Sequence, residues 1–428
     1  MLLYLAYLPF LFLTAIAFTV DSFSVPFVNL SLPEPEHSHY FDQELFKHVV
    51  PTSIRVFNDQ IFMSFPRLSS NSTPVTLASL DLESMTFSAF PSLKYNTPDS
   101  PAHLFSVNSF EITPNGFMWI LDNGHLPGHD EKPSPKLVVY DINRQVTRRV
   151  AYLPSYMVSS SAFFSQIVID SDRFIAYFTN SDSWPDEKNP SKGSLVMYSY
   201  ENNVFSTLLS DDESVNSDNS VVIKAGSRQV YKDHPLLSGA TSLALSCDFS
   251  TLFLCPLSSR KLYLLEVDHE VGNHSVVNLG SKGYASTTMI SSNANYLYIA
   301  DVEKSRLFKT FLRKSHKSLL PNQRDFLGTH PWPTSIALFK GKMYVLSNKR
   351  HLWRDGVISW SAQNFFVEVL DFEDPQVESY VYGCRRTPWA FKLEMYTVVA
   401  IVCVLLLVVY LMWIKLRDRP VSDGYYRV

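Results

Sequence analysis

A short β-favouring run that ends in small polar residues returns six times along the chain, and this repetition limits the fold more than any other feature. The copies are IFMSFPR from Ile61, MWILDNG from Met118, AYFTNSD from Ala176, LFLCPLSS from Leu252, LYIADVEK from Leu297 and MYVLSNKR from Met343. Most follow a turn signal such as Phe57-Asn58-Asp59, Pro114-Asn115-Gly116 or Lys340-Gly341-Lys342. Most lead after a loop to a further strand such as KLVVYDI from Lys136 or FFVEVLDF from Phe365. Successive copies lie 57, 58, 76, 45 and 46 residues apart. A period near 45 stretched by loop insertions is the signature of β-propeller blades, so six copies predict an all-β, six-bladed propeller. A β-sandwich or jelly roll gives no reason for one hairpin to recur six times. Continuous apolar stretches such as Phe117 to Leu121 suit strands covered on both faces, and they are expected to be inner blade strands. The longest interval holds Ser210 to Asp218 (SDDESVNSD), read as a solvated loop.

The two ends of the chain carry a different signal. Residues 1–20 are almost wholly apolar and contain Ala15-Ile16-Ala17, which predicts a signal peptide over 1–17, with a retained anchor as the alternative. Tyr396 to Ile414 has no charge, which matches the ~20 residues needed to span a bilayer core. Lys415, Arg417 and Arg419 follow at once, so the positive-inside rule places 415–428 in the cytosol and the propeller outside it. The expected organisation is a segment over 18–50, a propeller over 51–384, a linker over 385–395 with Trp389 and Phe391 near the membrane interface, a transmembrane helix over 396–414 and a tail. In this type I topology the sequons at Asn29, Asn71 and Asn273 are glycosylation sites. Lys plus Arg is 37 against 41 for Asp plus Glu, with no basic block, so nucleic acid is not an expected partner.

The chain has four cysteines. Cys247 and Cys255 flank and enter one hairpin strand, too far apart along it for a bridge, so mostly free, buried thiols are expected. The tail ends in Gly424-Tyr425-Tyr426-Arg427-Val428. Gly424, Tyr425 and Val428 resemble the sorting signal of lysosomal membrane glycoproteins. A clathrin adaptor is therefore an expected partner, and the late endosome or lysosome membrane the expected location, with the plasma membrane as the alternative.

Asp122-Asn123-Gly124 ends one repeat, and Asn180-Ser181-Asp182, Ser258-Ser259, Asp301 and Ser347-Asn348 end others. Polar tips from several blades are expected to converge on one mouth of a central channel as a ligand site, with Asp122, Asn123 and Asp301 in it. The competing reading is that each tip ends its own strand by side-chain-to-backbone bonds.

MWILDNG followed by PKLVVYDI resembles the yellow/major royal jelly protein family. LSGATSLALS from Leu237, LFLCPLSSRKLY, YLYIADVEKSRLFK and Trp332-Pro333-Thr334 with YVLSNK from Tyr344 extend the resemblance over roughly residues 50–370. The resemblance implies a six-bladed propeller, often secreted, that binds small molecules such as aromatic amines or sterols, with melanin chemistry on dopachrome in some members. Carried onto this chain, the amine-site positions are Thr334, Asn348 and Arg350. The family's aromatic residue two past the asparagine is Arg350 here, which suits an acidic or carbonyl-bearing ligand better than a cation. The cysteine usually found before Pro-Lys-Leu is Ser134 here, so the family's disulfide set is absent.

The loop His125 to Glu131 concentrates imidazoles and carboxylates without a zinc-ligand spacing, and no Gly-x-Ser-x-Gly or phosphate loop occurs. No cofactor and no metal site are expected. The favoured reading is a non-catalytic propeller that binds a small molecule or lumenal protein. A lactonase- or dopachrome-tautomerase-like enzyme, in which Asp122, Asn123, Asp182, Asp301 and Asn348 imitate a calcium-binding mouth, is the alternative. A protein-protein scaffold is a third.

Overall fold

The computed structural model describes residues 20–24, 30–31, 49–68, 73, 75–96, 103–124, 134–183, 189–267, 275–292, 296–311, 324–329, 331–354, 365–371 and 404–413. The chain divides into two units, Met1–Cys384 and Arg385–Val428.

In the first unit six large sheets follow one another along the chain, each built on an antiparallel meander of four strands, and a two-stranded ribbon, Lys224–Ala225 with Arg228–Gln229, comes between the third and fourth in sequence. Blade 1 runs Ser53–Phe57, Gln60–Ser64, Leu77–Asp81 and Thr86–Ala89, with the short strand Leu30–Ser31 added in parallel to its outer edge. Blade 2 is Val107–Ile112, Phe117–Asp122, Lys136–Asp141 and Val146–Tyr152. Blade 3 is Phe164–Asp170, Ile175–Asn180, Ser194–Ser199 and Val204–Ser210. Blade 4 is Ala240–Leu245, Thr251–Pro256, Lys261–Glu266 and Val276–Ser281. Blade 5 is Met289–Ser292, Tyr296–Asp301, Arg306–Phe311 and Arg324–Gly328. Blade 6 takes Pro333–Phe339, Lys342–Asn348 and Phe365–Asp371 from the end of the propeller, and its outer strand, Val20–Ser24, from the beginning. Val20 lies opposite Leu370 and Ser24 opposite Phe366, antiparallel. A strand from the stretch assigned by sequence to a preceding segment thus completes the last blade and ties the two ends of the ring together.

The first strand of each blade packs against the first strand of the next, from blade 1 round to blade 6 and back. These first strands surround the axis. The recurring runs seen in the sequence are the second strands, one step further out. They lie between neighbouring blades, which explains their continuous burial. Phe117–Asp122, Ile175–Asn180, Thr251–Pro256 and Tyr296–Asp301 are buried at every position after the first. The two-residue alternation of a strand then divides each run between its two neighbours. Met118 and Ile120 pack towards blade 1, Trp119 and Leu121 towards blade 3. Leu297 and Ile299 join blade 4, while Tyr298 and Ala300 join blade 6. All six blade boundaries carry such an apolar cluster. Truncating one of these side chains, as in Ile120→Ala, removes contacts worth about 2–5 kcal/mol.

The described hairpins between the first two strands of a blade turn where the sequence places them. Asn58 and Asp59 both take positive φ, as a two-residue hairpin with right-handed strand twist requires. Gly116, Phe249, Lys340 and Gly341 do the same in their blades. The acidic stretch after blade 3 is less solvated than expected. Ser214 and Val215 are fully buried, the carbonyl of Val215 accepts the Ala240 N–H at 2.9 Å, and Glu213 accepts from Lys261 at 2.7 Å.

Cys255 is a buried free thiol, as expected, but Cys247 is disulfide-bonded to a partner outside the described residues. In the second unit residues 404–413 are helical with exposed apolar side chains. Among the described residues no helix is long and apolar enough to cross a membrane. The rest of the 396–414 stretch lies outside the described residues. So do 1–17, Asn29, Asn71, Asn273, His125 to Glu131, Trp389, Phe391, Gly424, Tyr425 and Val428.

Candidate functional site

At the start of every first strand stands a pair of small polar residues followed by an apolar one. The pairs are Thr52-Ser53, Asn108-Ser109, Ser165-Gln166, Thr241-Ser242, Thr287-Thr288 and Thr334-Ser335, ahead of Ile54, Phe110, Ile167, Leu243, Met289 and Ile336. They recur with the same stretched spacing as the second strands. In four blades the strand is bulged at the pair. Pairing skips between Val107 and Ser109, Phe164 and Ile167, Ala240 and Ser242, and Pro333 and Ser335. A bulge places an extra residue without a cross-strand partner and re-aims its side chain. Asn108, Ser165, Gln166, Thr241 and Thr334 stand at these skips, and all of them line one cavity on the propeller axis.

That cavity encloses about 60 Å³ and takes lining residues from all six blades. Every member of the polar pairs except Ser242 contributes. Ser181, Ser183 and Ser238 add hydroxyls, Phe163, Leu257 and Trp332 apolar surface, and Arg55 and Arg350 guanidinium groups. Among these residues there is no Asp, Glu, His, Lys or Cys.

The pairs also stitch the blades together. Ser335 Oγ accepts the Ile54 N–H at 3.2 Å, and Thr52 Oγ1 donates to the Asn108 carbonyl at 2.7 Å. Asn108 Nδ2 donates to the Ser165 carbonyl at 2.8 Å. Gln166 accepts the Leu243 N–H at 3.1 Å and donates across the axis to the Met289 carbonyl at 3.3 Å. Ser242 donates to the Ser286 carbonyl at 3.1 Å, and Thr287 donates to the Pro333 carbonyl. The ring is closed by hydrogen bonds at every blade boundary. Three buried atoms of the pairs are left over: Ser53 Oγ, Asn108 Oδ1 and Thr241 Oγ1 find no partner. A buried polar atom without a partner costs about 1–3 kcal/mol, and these three are sealed within the wall of the cavity.

The strand-tip residues behave otherwise. Asp122 is fully buried and bonds Lys136 Nζ at 2.8 Å, together with the N–H groups of Phe105, Ser106 and Gly124 at 2.9, 2.8 and 3.0 Å. Burial pushes its carboxyl up, but the Lys136 charge and the N–H donors outweigh this and hold it below the ordinary carboxylate value. Asn123 clamps both backbone groups of Phe164, accepting at 2.7 Å and donating at 2.9 Å, which fastens blade 2 to blade 3. Asp301 accepts the Glu303 and Lys304 N–H groups in its own turn. Burial pushes the Asp301 carboxyl up against those donors. Asp182 accepts from Ser159 and Ser161. None of Asp122, Asn123, Asp182 or Asp301 lines the cavity, so these four end strands and join blades; among the expected tips Ser181 does line it. Among the described residues no group of three His, Cys, Asp or Glu side chains is placed to hold a metal ion.

The positions implied by family resemblance divide. Thr334 and Arg350 line the cavity. Asn348 is fully buried outside it, donating to the Pro51 carbonyl at 2.7 Å and accepting the Arg350 N–H at 3.0 Å. It therefore sets the start of the short helix Arg350–Arg354, whose first guanidinium lies 5.6 Å from the Phe163 ring. Trp332 stacks on His351 at 5.2 Å beside it. Sequence reasoning reached Thr334 but missed the other members of the polar pairs and Arg55, although the pairs repeat as visibly as the apolar runs that follow them.

The family model described as Major royal jelly protein matches residues 105–373. No curated protein matches the chain in sequence. Solved structures that resemble it include a luciferin-regenerating enzyme, 10% identical, covering 76% of this chain and 92% of that one at a TM-score of 0.47. Regucalcin from Agrobacterium tumefaciens, a calcium-binding protein, is 10% identical over 77% and 94% of the two chains, with a TM-score of 0.46. The PQQ-bound aldose sugar dehydrogenase of Streptomyces coelicolor is 8% identical over 82% and 98%, at 0.44.

Proposed function

The chain belongs to the major royal jelly protein family, and from that premise we propose that its propeller binds a small molecule in the axial cavity without transforming it. One observation carries this reading: six blades supply hydroxyl and amide groups to a single cavity whose described lining has no side chain able to act as general base and no carboxylate to anchor a hard cation. The lining serines and threonines need an adjacent base to become nucleophiles, and none lines the cavity with them. The lactonase- or tautomerase-like alternative requires titrating groups at the mouth, and Asp122 and Asp301 are held in bonds elsewhere. Docking of a lumenal protein over the same mouth is the second binding mode.

The proposal extends to topology. An uncharged stretch over 396–414, helical at 404–413, followed by three basic residues, supports a type I membrane protein with its propeller lumenal and glycosylated at Asn29, Asn71 and Asn273. Gly424, Tyr425 and Val428 support capture by a clathrin adaptor and delivery to late endosomes or lysosomes. Tyr425→Ala is expected to move the protein to the plasma membrane; unchanged lysosomal staining would remove the sorting role.

The test of binding is mass spectrometry of small molecules retained by the purified full-length protein. A compound carried by the wild type and lost from Thr334→Val and Arg350→Ala supports the reading. A cavity that carries nothing from cells overturns it.

A further inference from the structure

Between blades 3 and 4 the chain makes an excursion, residues 218–238, whose ribbon joins the sheet of no blade. Alternation along it sends Val221 and Ile223 inwards, 6% and 0% exposed, and leaves Val222 outside at 39%. With Val230 and Leu236, the inward residues cover Leu257, Ala285, Val302 and Trp332 at the rims of blades 4, 5 and 6. Leu257 and Trp332 also line the axial cavity. These two side chains therefore have the cavity on one side and the excursion on the other.

Both feet of the excursion are fastened at Ser258. Its carbonyl accepts the Asp218 N–H at 2.7 Å, and its Oγ accepts the Ser238 N–H at 2.9 Å and donates to the Leu236 carbonyl at 2.6 Å. The middle is held elsewhere, by Arg260 and Glu303, which follow the second strands of blades 4 and 5. The Glu303 carboxylate accepts the Lys224 N–H at 3.0 Å, and its carbonyl accepts the Gly226 N–H at 2.9 Å. Arg260 grips that carboxylate with both Nη groups and donates from Nη2 to the Val222 carbonyl at 3.1 Å. Of the two wall residues, Trp332 is held at a left-handed φ of 62°, which a bulky residue adopts only when its surroundings impose it.

We infer that residues 218–238 form a cap, hinged at Ser258 and latched by Arg260 and Glu303, whose opening controls exchange of the cavity's contents. The inference rests on the small-molecule reading above and adds the regulation of that site. With the cap down, Leu257 and Trp332 are clamped as cavity wall. With it lifted they lose their backing, and the strain at Trp332 favours its withdrawal from the wall. No blade has to open for this, because no ladder of hydrogen bonds joins the ribbon to a blade. The cost is local: the apolar underside meets water and the latch bonds are exchanged for bonds to solvent.

Ala285 offers the test. It is 0% exposed beneath the cap, so the thiol of Ala285→Cys meets methyl methanethiosulfonate only when the cap lifts. Native Cys255, buried between blades 4 and 5, reports opening of the propeller itself. In the full-length protein in detergent, with labels located by peptide mass spectrometry, the Ala285→Cys thiol should react faster than Cys255. Adding Glu303→Gln or Arg260→Met should speed it roughly 10- to 100-fold, the worth of hydrogen bonds to a charged group, and leave Cys255 as slow as before. Equal rates at the two thiols, or no acceleration by the latch variants, overturns the inference. Should Ala285→Cys fail to fold, hydrogen exchange decides: residues 219–236 should exchange faster than Thr251–Pro256, and exchange as slow as in that strand overturns the cap. A compound retained by the wild type should wash out faster from Glu303→Gln. Loss at one rate from both overturns control of exchange and leaves binding in place. An opening cap with no compound retained by any of the proteins refutes the small-molecule reading alone.

Discussion

Asp122 and Lys136 form an ion pair with side chains 0% and 1% exposed, and the pair separates a structural role for the strand tip from a binding one. Lys136→Met leaves a buried carboxylate held by three N–H donors. Asp122→Leu leaves a buried ammonium facing the Phe105 ring at 4.5 Å. Breaking a buried pair from one side costs about 3–5 kcal/mol. At ~2.1 cal/mol/K per residue over a propeller running from residue 20 to 371, ~1 kcal/mol moves Tm by ~1.4 °C, so each single variant should lose about 4–7 °C. The double variant removes both charges but strands the N–H groups of Phe105, Ser106 and Gly124, at about 1 kcal/mol or more each. Its cost should therefore resemble that of one single variant, giving a coupling of about 3–5 kcal/mol. Calorimetry and denaturant titration of the four proteins read this directly. Additive single costs, within ~0.5 kcal/mol, would refute the pair. An Asp122→Leu protein with wild-type Tm and lost ligand binding would refute the structural assignment.

Other consequences follow from the same geometry. Asn123→Ala leaves both backbone groups of Phe164 without their clamp and should cost about 2–4 kcal/mol in unfolding free energy, without touching the cavity. Asp141 is held down to about 2, first by the Arg148 hydrogen bond and then by Arg144. Its contribution is complete above the ordinary carboxylate value of 3.8 and is lost as pH falls from there through 2. A Tm-against-pH curve should therefore fall more gently in Asp141→Asn than in the wild type over that window. Cys247→Ser removes a disulfide and should cost about 2–5 kcal/mol. Reductant should lower the Tm of the wild type but not of the variant.

The propeller was legible because its second strands are the most buried elements, and burial on both faces writes itself as an uninterrupted apolar run. Their place in the blade was not, since a first and a second strand differ in what surrounds them more than in composition. Closure by Val20–Ser24 was hidden for a related reason: five residues, Val-Asp-Ser-Phe-Ser, show no pattern until Leu370 and Phe366 lie opposite them. The strand-tip residues misled because Asp and Asn look the same whether they face a channel or grip a neighbour. Asn123 grips Phe164 of the next blade, 41 positions away, and Asn348 grips Pro51, 297 positions away across the closure of the ring. The polar pairs carried the opposite lesson. They repeat six times, yet small hydroxyl residues at a strand start ordinarily signal a turn, and only the bulges reveal that they face inwards. Arg55 was readable as a charge inside an apolar strand, Ser-Ile-Arg-Val-Phe, although its partner Glu111 stands in another blade.

An experimental density map of the full-length protein, fine enough to show ordered water, reaches the core of the matter. Non-protein density in the axial cavity, against Thr334 and Arg350 and the polar pairs of the other blades, is the predicted result. An axis closed by protein side chains, or a carboxylate cluster gathered around an ion at that mouth, would contradict the account.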